Sequence, residues 1–306
     1  MAYLAGRSRV TQLTWFDRSG KEVGKVGPRA EHYGVTLSPN GQMVAVVRQG
    51  QYGSREEWVY DLARGPRIRL TPPGASVMSG PVWPPDGSWV IFTTIGPAGL
   101  GIYQADLKGG APQLLEKLDA VPQRSFLEQR SSSDWSRDGR FLIYTESGGI
   151  WYVPLESGRP AANPVRFSAG TQGQLSRDRK LLAYALGDGV QIRPFPTGAG
   201  IWQVPASNSF DPRWRSDGKE LYFISGTVLG RGTLMVVPVE TDGHGGLRIG
   251  SPQRLFEVRV NRAPPQFNAW SYAPSPDGTR FLVNALVDKD EPTVNVITNW
   301  QAGLLR

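Results

Sequence analysis

An all-β fold is predicted for this chain of 306 residues, and three observations predict it. Glycine (37) and proline (25) supply about one residue in five, which suits tight turns better than long helices. The 31 Trp, Tyr and Phe residues favour pleated, half-buried surfaces. Above all, one short pattern recurs six times: LSPNGQMVAV (37–46), WPPDGSWVIF (83–92), WSRDGRFLIY (135–144), LSRDRKLLAY (175–184), WRSDGKELYF (214–223) and PSPDGTRFLV (274–283). Its Asn or Asp falls at Asn40, Asp86, Asp138, Asp178, Asp217 and Asp277, at spacings of 46, 52, 40, 39 and 60. A period of that size means repeated supersecondary units.

Each part of the pattern has a mechanical meaning. Asp-Gly or Asn-Gly makes a tight turn: the side-chain oxygen caps nearby amides and glycine takes the positive φ. Asp178 is followed by Arg179, so that turn is expected to be of another type or strained. Short apolar runs follow, such as Val90-Ile91-Phe92 and Leu142-Ile143-Tyr144, as in strands buried on both faces. Trp83, Trp135 and Trp214 share one repeat position and are expected to pack in the core.

Between signatures comes a strand ending in a turn, as in 58–65, 102–110, 150–158, 190–198 and 234–243, then a more polar strand, as in 67–71, 201–205 and 253–258. Each unit therefore supplies four antiparallel strands, the blade of a β-propeller. Residues 1–306 are read as a single β-propeller domain. Segment 12–27 matches a third and fourth strand, with 2–6 as a remnant second strand. Segments 272–286 and 293–300 match a first, second and third. Seven blades are favoured, the first incomplete; six is the alternative, with the N-terminal piece closing the ring.

The repeated [W/L]-S-x-D-G-x-x-[LIV]-x-[FY] resembles the WD-repeat-like unit of TolB-type propellers. LTWFDRSGKEVGKVG (13–27), RPFPTGAGIWQV (193–204), PRWRSDGKELYF (212–223), SPDGTRFLVN (275–284) and VNVITNWQAGL (294–304) resemble the C-terminal propeller of bacterial membrane-anchored serine/threonine protein kinases. That resemblance implies a non-catalytic sensing or interaction domain outside the cytoplasmic membrane, on a parent protein whose kinase and membrane anchor are not in this sequence. The partner it implies is a protein, peptide or envelope polymer.

The chemistry that composition excludes is broad. No cysteine is present, so disulfides, thiolate metal sites and cysteine nucleophiles are out. Only His32 and His244 could serve a triad. His244 sits in a glycine-rich turn, and His32 is expected to be an ordinary loop histidine. Walker, G-x-S-x-G, H-E-x-x-H and kinase catalytic motifs do not occur. No enzyme activity and no cofactor are expected. A calcium-dependent lactonase or phosphoesterase is the alternative reading, since such sites use carboxylates and amides. The recurring acids Asp86, Asp138, Asp217 and Asp277 lie one per blade, too far apart to share an ion.

The net charge is +7, with arginines scattered rather than clustered, and nucleic acid is not an expected partner. Two long connections, 117–133 and 258–271, fall between a blade's outer strand and the next inner strand, on one rim. They mix arginine with aromatics, a hot-spot chemistry. Arg124, Phe126, Arg130, Arg262, Phe267 and Trp270 are therefore the candidate partner-binding residues.

Overall fold

The first signature turn shows how each blade starts. Ser38 Oγ donates to Asn40 Oδ1 at 2.7 Å, while the Met43 amide donates to Ser38 Oγ at 3.0 Å and the Gln42 amide to Asn40 Oδ1 at 3.0 Å. Ser136/Asp138 and Ser275/Asp277 repeat the arrangement. The recurring acids are turn caps, as their spacing predicts. In the Asp178 repeat the turn is of the same type, closed by the Arg179 amide donating to the Ser176 carbonyl at 2.9 Å. Arg179 itself takes φ 62, the left-handed conformation that glycine occupies elsewhere.

The computed structural model describes residues 2–4, 10–96, 99–118, 130–226, 231–241, 246–262, 267–287 and 294–296. Six four-stranded antiparallel blades are seen. Blade 1 runs His32–Leu37, Met43–Gln49, Arg55–Asp61 and Gly65–Arg69 from the inside outward. The inner strands of blades 2 to 5 are Ser76–Val77, Ser131–Trp135, Thr171–Leu175 and Ser209–Trp214.

Blade 6 corrects the favoured count of seven. Its inner strands Tyr272–Pro274 and Arg280–Leu286 come from the C-terminal part, and its outer strands Thr11–Asp17 and Glu22–Ala30 from the N-terminal part. Thr11–Asp17 pairs with Arg280–Leu286 without a break from Thr11↔Leu286 to Asp17↔Arg280. An incomplete N-terminal blade would leave one edge of Arg280–Leu286 unpaired; closure satisfies seven residues' worth of backbone. Ala2–Leu4 pairs with Val294–Val296 as a separate two-stranded ribbon, so neither segment belongs to a blade.

The core is divided in the same way. Six apolar clusters occur among the described residues, one at each blade interface. Neighbours on a second strand serve opposite interfaces: Val90 and Phe92 face blade 1, and Ile91 faces blade 3. That is why these strands are apolar at every position. Trp83, Trp135 and Trp214 are all buried in such clusters. The interface between blades 6 and 1 packs Leu13, Trp15 and Leu282 against Val35, Val46 and Tyr60, which locks the ring.

Candidate functional site

The inner strands surround a central channel, and its two ends differ. One end is blocked by residues 267–270, which run in ahead of blade 6 and bond to all five other blades. The Gly80 amide donates to the Phe267 carbonyl at 2.8 Å, and the Val35 amide to the Trp270 carbonyl at 3.0 Å. Asn268 donates to the Ser131 carbonyl and accepts from the Gln172 amide; Trp270 Nε1 donates to the Pro212 carbonyl at 3.2 Å. A Cβ on Gly80 would lie 3.0 Å from the Asn268 carbonyl oxygen, so any larger residue would press on this approach by a few tenths of an ångström. Asp211, fully buried, accepts from the Ser271 amide at 2.8 Å and from Gln172 Nε2. Burial raises its pKa, opposed by those donors.

The other end opens as a funnel of about 160 Å³ on the face carrying the signature turns. Its lining is two-sided. Blades 6, 1 and 2 present Pro276, Pro39, Pro84 and Pro85, while blades 3, 4 and 5 present Arg137, Arg177 and Arg215. Arg213 lies deeper, 8% exposed, with its guanidinium over the Trp270 ring at 4.8 Å. Asp134 is the one carboxylate among the described lining residues.

The residue just before each signature Trp or Leu builds this funnel. The Leu175 amide donates to Asp134 Oδ2 at 2.8 Å, and the Trp214 amide to Gln174 Oε1 at 2.7 Å. Thr36 Oγ1 donates to the Pro81 carbonyl at 3.0 Å. Each clasp joins one blade to the next. Burial raises the Asp134 carboxyl to about 6, with the Leu175 amide and Arg213 pulling the other way. Burial, and then the adjacent Arg177, lower the pKa of Arg137. Burial lowers that of Arg213 as well, opposed by Asp134.

Of the sequence-predicted rim residues, the described ones, Arg130, Arg262, Phe267 and Trp270, fall on the blocked end. Phe267 is 4% exposed and stacks on Tyr33; Trp270 is 1% exposed. Arg130 pairs with Glu116 and with Glu146 at 3.6 Å, over the Tyr144 ring. Arg262 covers the Phe210 ring at 3.8 Å. Arg124, Phe126 and His244 lie outside the described residues. His32 is a buried strand residue, not a loop one: Nδ1 is 2.9 Å from Thr11 Oγ1, and its carbonyl accepts from Asn261 and Asn284. Burial, then Arg48, lowers its pKa to about 4, so it is neutral near pH 7.

Sequence reasoning missed Asp134, Arg137, Gln174, Arg177, Arg213 and Arg215 as a group. The available signal was positional: arginine in two consecutive S-x-D turns where other repeats carry proline. Among the described residues, no group of three or more His, Asp or Glu gathers in a way that could hold a metal ion.

No family model matches the chain, and no curated protein matches it. Solved structures do. A TolB candidate from Agrobacterium tumefaciens superposes with a TM-score of 0.67 at 16% identity, covering 92% of this chain and 100% of that one. TolB from Acinetobacter baumannii gives 0.56 at 17%, covering 81% of this chain and 64% of that one. Both of these neighbours are TolB-type β-propellers. A candidate 6-phosphogluconolactonase from Bacteroides uniformis gives 0.50 at 13%, covering 90% and 89%. At these identities the likeness is one of fold.

Proposed function

We propose that this propeller is a non-catalytic recognition module that binds a protein or peptide partner at the funnel. The observation that carries the reading is the asymmetry of the channel. One end is filled by residues 267–270, and the other is an open recess with a cationic side and a proline side. A rigid scaffold presenting such a recess is suited to recognition. The funnel is a better candidate than the opposite rim, because Phe267 and Trp270 are buried and Arg130 is held by two carboxylates.

The resemblance to kinase C-terminal propellers supports a sensing role outside the cytoplasmic membrane, and the fold likeness to TolB-type propellers supports interaction with a protein. Against the calcium hydrolase stands the composition of the funnel, where Asp134 faces four arginines. Cations there repel a divalent ion.

A photoreactive side chain at Pro85, in the funnel, should give discrete protein adducts in an envelope fraction. The same group at the fully exposed Tyr52, on the opposite face, should give none. Adducts from position 52 alone would move the binding surface to the rim and refute this reading.

A further inference from the structure

We propose that the sector formed by blades 3, 4 and 5 is an oxyanion subsite that takes acidic side chains of a peptide partner. The proposal rests on the recognition reading and gives that site its ligand chemistry. Four guanidiniums, those of Arg137, Arg177, Arg213 and Arg215, line one recess with a single carboxylate, Asp134. Arg215 is already neutralised, at 3.5 Å from both Asp217 and Glu220. Among the described residues, Arg177 has only a long bond of 3.4 Å to the Ser216 carbonyl. Arg137 has no hydrogen-bond or ion-pair partner among the described residues.

Arg213 is the decisive group. It is more than nine-tenths buried, lines the funnel, and its Nε has no hydrogen-bond partner among the described residues. A buried guanidinium whose donors are unmet is costly, and an incoming oxyanion repays that cost. Asp134 attracts Arg213 but neither hydrogen-bonds nor ion-pairs with it among the described residues, its Oδ2 accepting the Leu175 amide on the neighbouring blade instead. Carboxylate and phosphate present the same paired acceptors to such a fork. The recess is an end-on funnel ringed by all six blades rather than a groove along which a phosphate backbone could track. Opposite, Pro39, Pro85 and Pro276 supply apolar surface for a neighbouring aliphatic side chain. Alternating acidic and aliphatic residues therefore fit both sides.

The probe is a short peptide alternating glutamate with leucine, titrated calorimetrically against the intact chain beside its glutamine counterpart, inorganic phosphate and a single-stranded oligonucleotide. The glutamate peptide should bind, weakening as salt rises, and the glutamine version should lose about tenfold or more. The double variant R137Q/R177Q, altered only at funnel-wall side chains, should lose about tenfold with an unchanged melting temperature. R213K tests the fork itself: it keeps the charge but not the paired donors, and should also weaken binding.

Phosphate binding lost in R137Q/R177Q would support the subsite with inorganic anion as a sufficient ligand. Preference for the oligonucleotide would overturn the peptide assignment. Equal binding of both peptides at the funnel would overturn the oxyanion subsite and leave the recognition reading standing. Binding of neither the glutamate peptide nor phosphate would overturn the subsite, while adducts from position 85 would still report a partner.

Discussion

Asn268 Nδ2 donates to the Ser131 carbonyl at 2.7 Å and to Thr145 Oγ1 at 2.8 Å, tying the approach to blade 6 to blade 3 across the channel. Its Oδ1 accepts the Gln172 amide of blade 4 at 2.6 Å. One buried side chain, in the left-handed conformation at φ 48, thus spans three blades. N268A would strand the Gln172 amide and the Ser131 carbonyl in the interior. The expected loss is about 2–4 kcal/mol, read by chemical denaturation. A loss below about 0.5 kcal/mol would mean that the contacts across the channel contribute little.

Arg179 holds a glycine conformation, and its guanidinium lies 2.6 Å from Asp138 on blade 3. The ion pair is part-exposed and worth little, whereas a left-handed non-glycine residue costs about 1–2 kcal/mol. R179G should therefore raise the melting temperature. A drop would show that the link between blades outweighs the backbone strain.

The Asp134 carboxyl, raised to about 6 by burial, sets a pH dependence. Below its ordinary value near 4, both the folded and unfolded states hold the proton. Between about 4 and 6 only the folded state keeps it, so stability falls as pH rises through that window. D134N should flatten that slope, be the more stable protein at pH 7.5, and bind the glutamate peptide more tightly. Parallel stability curves for the two proteins from pH 4 to 7 would refute the assignment.

Glu57 is wholly buried on the third strand of blade 1, and neither carboxyl oxygen has a partner among the described residues. Desolvation raises its pKa well above the usual carboxylate range. The folded state therefore holds a proton that the unfolded state releases, and stability declines as pH climbs above about 4.3. E57Q should be at least about 1 kcal/mol more stable than the natural chain at pH 8, with the advantage shrinking at pH 4. An advantage independent of pH would show that the carboxyl is ionised or solvated.

The signature repeats made the blade legible because each turn is local chemistry. Ser136 Oγ donates to Asp138 Oδ1 two residues on, and the Phe141 amide returns to Ser136 Oγ three residues later. The roles of Trp83, Trp135 and Trp214 followed from their shared repeat position, and burial bears them out. The funnel was not legible, since Arg137, Arg177 and Arg213 are ordinary arginines until three blades converge on one axis. The burial of Phe267 and Trp270 was illegible for a similar reason. Residues 267–270 have the composition of an exposed hot spot, but the same Trp and Asn chemistry also fills a polar channel.

The sequence by itself determined the strand-turn-strand unit, its sixfold recurrence and the core positions, because those depend on periodicity and on bonds between near neighbours. Only the tertiary structure decided that Thr11–Asp17 completes the last blade, that residues 267–270 block one end, and that four guanidiniums share the other. Each of these joins residues far apart in the chain. Their free energy comes from ring closure and burial, which no local pattern encodes.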